Sequence, residues 1–223
     1  MFQKIHILHL KGYKPDVVLD LGAYKGEWTS MMQRHVFKDS VYHLFEPNNH
    51  HELANVCNIH NVLLSDGPGE VDWYCKGTTG DSIFKENTFH FDDCKVEKRS
   101  TFDLDTYTRV TGILDSAKNV FMKIDCQGAE IPILKGSSRV LEKTDFVLME
   151  LPLFGRYNEG VPNFLEHVNF MESIGFVPYD FMDNHYMNGF NMQIDMLFIN
   201  KNHPWNNEVN EKIRHTLNVD SMQ

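Results

Sequence analysis

One segment leaves this chain little freedom: Val17-Val18-Leu19-Asp20-Leu21-Gly22-Ala23-Tyr24-Lys25-Gly26-Glu27-Trp28-Thr29. An apolar run carrying one acid leads into two glycines four apart, and residues at helical spacing follow. A strand, a tight turn and a helix start satisfy that order, which is the ligand-binding crossover of an open α/β sheet. Glycine serves there because the backbone must turn sharply and approach a ligand with no Cβ in the way. The Asp20 carboxylate is then expected to accept hydrogen bonds from a cationic or hydroxylated ligand at the carboxyl edge of the strand. The spacing argues against a dinucleotide, whose fingerprint is G-x-G-x-x-G. Asp20 and Glu27 would both repel a pyrophosphate, and they suit a ligand bearing an ammonium or sulfonium group.

Strands and helices alternate through the rest of the chain. Phe2, Ile5, Leu8 and His9 predict an opening helix closed by Gly12. Trp28, Met31, Met32, His35 and Val36 fall on one helical stripe, read as a face turned to the core. Val41–Phe45 is a second strand ending in Glu46-Pro47, and Asn48 is an N-cap for a helix with Leu53, Ala54 and Cys57 inward. Val62–Leu64 is a third strand, followed by the turn Ser65-Asp66-Gly67-Pro68-Gly69. Val71–Cys75 and Val96–Phe102 are strands around a long Gly- and Thr-containing excursion (76–93), read as a flap or a mobile loop. Val120–Asp125 and Phe146–Leu151 are buried strands, the second with Glu150 inside it. Phe176–Phe181 and Gln193–Ile199 close the chain as antiparallel neighbours, joined by a loop carrying His185. The pattern predicts an α/β fold: an open, mostly parallel sheet with helices on both faces. It fits one domain over 1–203, with 204–223 a polar tail or short added helix.

Composition narrows the partners. Net charge is −10, from 31 acids against 21 bases; a broad nucleic-acid surface needs clustered Lys and Arg, so none is expected. Lys95, Lys98 and Arg99 read as a solvated strand face. The four cysteines form no C-x-x-C pair, so no metal finger or redox pair is expected, and Cys57 and Cys126 read as inert core thiols. No signal peptide and no run of membrane-spanning length is visible, which points to a cytoplasmic protein away from membranes.

Four stretches together resemble the FkbM family of S-adenosylmethionine-dependent methyltransferases: D-L-G-A-Y-K-G at 20–26, F-E-P at 45–47, L-L-S-D at 63–66 and K-I-D-C-Q-G-A-E at 123–130. They stand in the family's order and span about residues 15–200. The resemblance implies a Rossmann-like class I methyltransferase sheet with an antiparallel C-terminal strand, and S-adenosylmethionine as cofactor. It implies that Asp20, Gly22, Ala23 and Gly26 hold the methionine part, that Glu46 takes the ribose hydroxyls, and that Ser65 and Asp66 border the adenine. Asp125 falls close to the departing methyl group. Gln127 stands where the family usually has an acid.

The acceptor implied is a hydroxyl of a sugar or other small metabolite, with Asp125, Glu150 and His185, in that order, as candidate bases. Segment 76–93 and the loop with Phe154, Arg156 and Tyr157 are expected to shape its pocket. His90 is a weaker candidate base, and His50 and His51 read as helix-surface residues. Lys123, two residues before Asp125 inside an apolar strand, needs a carboxylate partner, Asp125 or Glu150. No metal is required by any ligand spacing. Two other readings fit parts of the pattern: an NAD-type oxidoreductase, with Glu46 at a suitable distance after Gly26, and a cofactor-binding protein without catalysis, for which Gln127 is the support.

Overall fold

The computed structural model describes residues 1–53, 58–154 and 158–220. The elements run α1 (Phe2–Leu10), β1 (Val17–Leu21), α2 (Glu27–His35), β2 (Val41–Phe45), β3 (Ile59–His60), β4 (Leu63–Leu64), β5 (Gly69–Cys75) and β6 (Lys95–Phe102). They continue with α3 (Leu104–Thr111), β7 (Val120–Ile124), α4 (Glu130–Lys135), α5 (Ser138–Glu142), β8 (Thr144–Pro152), α6 (Phe164–Ser173), β9 (Phe176–Met187), β10 (Phe190–Asn200) and α7 (Pro204–Asp220). Seven strands make one sheet in the order β3-β2-β1-β7-β8-β10-β9. The first five are parallel neighbours, and β10 runs antiparallel between β8 and β9. Strand order reverses between β1 and β7, and the carboxyl ends of that pair are where such a sheet binds ligands.

Period-two alternation divides the core between the two faces of the sheet. Val17, Leu19 and Leu21 of β1 and Val120, Met122 and Ile124 of β7 join one apolar cluster with residues from α3 to α6. Val18 of β1 and Phe121 of β7 point the other way, into a cluster with α1 and α2 residues and Trp205. Phe121 is fully buried there, so truncation to Ala would cost about 3–5 kcal/mol. The same alternation turns Asp20 and Lys123, partners across the β1–β7 ladder, toward α2. Pro132 sits in the first turn of α4, where its missing N–H costs no helical bond.

Several local expectations are corrected. The third strand of the main sheet is Ile59–His60, while Leu63–Leu64 pairs with β6 in a second sheet ordered β4-β6-β5. Asn61 marks the crossing, its side chain donating to the Glu46 and Asn48 carbonyls. Asn48 caps no α-helix among the described residues; a 3-10 turn at His51–Leu53 follows it. Ala54 and Cys57 lie outside the described residues. On α2, Met32 is fully buried, but Met31 and His35 are exposed, because one face of a surface helix is enough to cover the sheet. Arg99 is not a free solvated cation: it lies over the Trp73 ring and donates to the Pro47 carbonyl and Asn48 Oδ1. His185 lies in β9, not in a loop; the turn comes at Asn188-Gly189. The 204–220 stretch is helical, with Trp205 against Tyr13 and Phe146.

Candidate active site at the strand ends

Residues 22–26 form the turn that the glycine spacing predicts. Gly22 has φ +77°, and a Cβ there would lie 1.9 Å from the Asp125 carbonyl oxygen. The β1 and β7 chain ends therefore meet backbone to backbone, which only glycine permits. Gly22 and Ala23 both donate to the Phe45 carbonyl, tying the turn to the end of β2. Gly26, also left-handed, opens α2. Tyr24 takes φ +47°, and its N–H points at Glu46 Oε2, 2.9 Å away.

Glu46 ends β2 and is buried. Its carboxylate accepts from the N–H groups of Tyr24 and Asn48, each at 2.9 Å. Burial pushes its carboxyl up to about 7, against the pull of those two donors. His50 Nε2 lies 3.7 Å from Glu46 Oε1, and the His50 ring packs on Tyr24; this residue is largely buried rather than on a helix surface. Asn48 in turn donates to Asp81 at 2.9 Å. Asp81 also accepts from the N–H groups of Lys76, Gly77 and Thr78, at 2.8, 2.9 and 3.2 Å. One carboxylate thus folds the start of segment 76–93 and ties it to the Glu46 turn. Ser82 Oγ donates to the Gln127 carbonyl at 2.8 Å, pinning the same segment to the end of β7.

These groups line a cleft enclosing about 720 Å³ of atom-free space, part of it open to solvent, within the range of small-molecule sites. Its apolar lining includes Phe45, Val62, Leu64, Trp73, Ala129 and Ile133. Its polar lining includes Glu46, Asn48, Asp81, Asp125 and Gln127.

At the end of β7, Lys123 Nζ stands 3.2 Å from Asp20 and 3.6 Å from Asp125. Burial alone would lower the Lys123 pKa, but the two carboxylates outweigh it and hold the ammonium charged. Asp20 is completely buried and also accepts from Thr29 Oγ1 at 2.6 Å. Glu130 accepts from the N–H groups of Cys126 and Gly128, at 2.8 and 3.2 Å, so it fixes the loop after β7, and burial pushes it up to about 7. Burial also raises the Cys126 thiol, which stays protonated.

A shallower groove adjoins the cleft and shares Asp125, Gln127, Thr78 and Thr79 with it. Glu150, Gln193, Glu86 and His90 complete its wall. Gln127 Nε2 bridges the two acids, 3.2 Å from Asp125 Oδ1 and 3.1 Å from Glu150 Oε2, from a left-handed backbone at φ +51°. Gln193 Nε2 donates to the same Glu150 oxygen at 2.9 Å. Burial first, then Asp125, Glu130 and Asp195, raises the Glu150 carboxyl well above its ordinary range. His185 Nε2 lies 3.0 Å from Asp195 Oδ2, and that hydrogen bond raises its pKa.

The fold therefore brings Gly22, Glu46 and Asp125 to one cleft wall. Asp20 faces α2 and touches the site only through Lys123. Ala23, buried, and Gly26 belong to the turn but are not among the cleft-lining residues. Ser65 and Asp66 sit past β4, in the turn of the small sheet, outside the cleft lining. Glu150 lines the adjoining groove, with His185 and Asp195 beside it. Arg156 and Tyr157 lie outside the described residues. Asp81, Trp73 and Asp195 were not among the site residues expected from sequence, and Asn48 entered only as a helix cap. For Asp195 a signal existed: a lone acid inside Ile194–Ile199, the same anomaly that singled out Glu150.

Among the described residues no helix is long and apolar enough to cross a membrane. The chain matches the family model described as "Methyltransferase FkbM domain" over residues 20–178. No curated protein matches it. Among solved structures it is similar to the 1,6-didemethyltoxoflavin-N1-methyltransferase of Burkholderia thailandensis, crystallised with 1,6-didemethyltoxoflavin and S-adenosylhomocysteine. That match has 12% identity and a TM-score of 0.50, and covers 89% of this chain and 77% of that one. A SAM-dependent methyltransferase from Aquifex aeolicus matches at 13% identity and TM-score 0.40, over 89% of this chain and 98% of that one. At 12% identity, the likeness to the Burkholderia thailandensis enzyme is one of fold.

Proposed function

The chain belongs to the FkbM family of S-adenosylmethionine-dependent methyltransferases, and on that premise we propose that the cleft holds the methyl donor while the adjoining groove admits a hydroxylated acceptor. The observation that carries this reading is the meeting of the two spaces at Asp125 and Gln127. A methyl group transferred in line needs donor and acceptor on opposite sides of one point, and two spaces sharing a wall supply that arrangement.

Within the cleft, Glu46 accepts the ribose O–H groups with oxygen lone pairs not taken by Tyr24 and Asn48. Phe45, Leu64 and Ile133 would offer the apolar surface that the adenine needs. The methionine part would meet the Gly22 turn, with Asp125 on the same cleft wall. Asp20, Ala23 and Gly26 serve by shaping that turn, and Ser65 and Asp66 by closing the small sheet behind the adenine end.

S-adenosylmethionine, when bound there, would supply its methyl carbon to the acceptor oxygen, the carbon–sulfur bond breaking to leave the neutral thioether S-adenosylhomocysteine. The hydroxyl proton passes to a nearby base. Asp125 is the first candidate by position, with Glu150 and His185 behind it in the groove. A sugar or small polyol suits a wall that offers carboxylates, amides and hydroxyls beside Lys76, His90 and Phe91, with acceptors and donors at close spacing. The acidic surface supports a small acceptor over a nucleic acid, whose phosphates it would repel.

Calorimetry with S-adenosylhomocysteine tests the cleft, and transfer of labelled methyl from S-adenosylmethionine to sugars, polyols, amines and RNA tests the acceptor. Binding with transfer to a hydroxyl is the expected result. Transfer only to nitrogen or to RNA refutes the acceptor assignment, and absence of cofactor binding refutes the cleft.

A further inference from the structure

The geometry points to a divalent-cation site formed by Glu150, Asp195 and His185, on the three adjacent strands β8, β10 and β9. Glu150 and Asp195 are directly opposed in the β8–β10 ladder, so their side chains leave the same face of the sheet. Two carboxylates directly opposed across a ladder repel each other once both are ionised, and Asp195 is only 8% exposed. His185 Nε2 arrives from β9, and one ligand atom from each of the three residues lies within 4.8 Å of the others. Donors held at about 2.1 Å from one ion, at tetrahedral or octahedral angles, are about 3.0–3.4 Å apart. Binding an ion would draw the three ligand atoms closer together to reach that spacing.

A plain histidine–aspartate ion pair accounts for Nε2 and Oδ2, but not for the other oxygens. Both bonds that Glu150 receives end on Oε2, and the one that Asp195 receives ends on Oδ2. Glu150 Oε1 and Asp195 Oδ1 accept from no donor among the described residues and are left for an incoming cation. Neither donor to Glu150 brings charge, since both are amides. The nearby ammonium, Lys123, is already held by Asp20 and Asp125. What fits two facing carboxylates with spare oxygens and one imidazole is a cation, and the nitrogen ligand favours Mn²⁺ or Zn²⁺ over Ca²⁺. The His185 side chain is 45% exposed, which leaves a way in and a free coordination position. The site itself does not depend on the methyl-transfer reading. Only its use does: an ion there would lower the pKa of an acceptor hydroxyl bound beside it.

The test is Mn²⁺ binding to the EDTA-stripped full chain, followed by loss of the free-ion electron paramagnetic resonance signal, with no cofactor or acceptor present. One saturable equivalent is expected, weakened about tenfold or more in Asp195→Asn and in His185→Ala. Absence of saturable binding overturns the site, and so does weakening of less than about tenfold in the variants. If Asp195→Asn fails to fold by circular dichroism, His185→Ala decides, because its ring is half exposed and carries little of the core. A chain that binds Mn²⁺ but not S-adenosylhomocysteine keeps the cation site and loses the cofactor reading; the reverse result does the opposite.

Discussion

Replacing Glu46 by Gln separates a binding role from a structural one, because the two predict opposite signs. The carboxyl is buried and titrates at about 7, against 4.5 for the free side chain. Protonation begins to differ between states above the unfolded value: between about 4.5 and 7 the unfolded chain has lost this proton and the folded chain still holds it. Stability from this group thus falls as pH rises through that window, and the full cost above it is about 3 kcal/mol, at 1.36 kcal/mol per pH unit. The amide carries no charge, so at pH 8 the cofactor-free Glu46→Gln protein should be as stable as the parent or more so, even after losing one backbone acceptor.

Cofactor affinity should move the other way. Only the ionised carboxylate accepts from both ribose hydroxyls, and it is roughly 90% populated at pH 8 and roughly 9% at pH 6 for a group titrating at 7. Affinity for S-adenosylhomocysteine should fall about tenfold between those pH values in the parent and stay nearly flat in Glu46→Gln, from a weaker starting point. Calorimetry across pH 5.5–8.5 reads the affinity, and thermal unfolding of the cofactor-free protein reads the stability. An affinity independent of pH in the parent, or a Glu46→Gln variant that loses stability while keeping affinity, refutes the argument.

Three other substitutions follow from the same geometry. Gly22→Ala places a methyl group 1.9 Å from the Asp125 carbonyl oxygen at φ +77°; the left-handed backbone alone costs about 1–2 kcal/mol, and the clash forces β1 and β7 apart, so denaturant midpoint and cofactor affinity should both drop. Lys123→Met leaves the fully buried Asp20 without its cation, and urea unfolding at pH 7.5 should show a loss of about 3–5 kcal/mol; the double variant with Asp20→Asn should recover much of it, and no recovery would mean that the pair is not what matters. Asp81→Ala removes the acceptor for Asn48 and three backbone N–H groups; hydrogen exchange should speed up at residues 76–78 and cofactor affinity should fall, with little change in the exchange of β1 or β7.

How far the sequence disclosed this fold follows from how strongly each piece is constrained. β1 and β7 are buried on both faces, so their apolar runs are nearly continuous and legible, and the glycine after β1 answers a backbone contact. β3 and β4 are two residues each, too short for any period to show, and the reading merged β4 with the main sheet. β9 runs to Met187 along an edge where most side chains meet solvent, so its polar residues resemble a loop. The Asn188-Gly189 pair, a strong hairpin signal, marks the real turn and frees His185 to be a strand residue.

The site was legible only where function and backbone geometry coincide. Gly22, Glu46 and Asp125 end consecutive strands of the sheet order β2-β1-β7, so knowing the strand ends places them together. Asp20 lies one residue short of an end, and period two then decides its fate: an even step from Val18 puts it on the α2 face, under Thr29, instead of in the cleft. Asp81 could not be found by the same route, because it acts through three amides of its own loop, and amide directions are not written in residue types. The Glu150–Asp195 juxtaposition needs the register of an antiparallel pair whose partners stand 45 residues apart. Each lone acid stands in its own apolar strand, and only Glu150 drew notice there. That they face each other on one side of a ladder is information that exists only once β10 has inserted between β8 and β9.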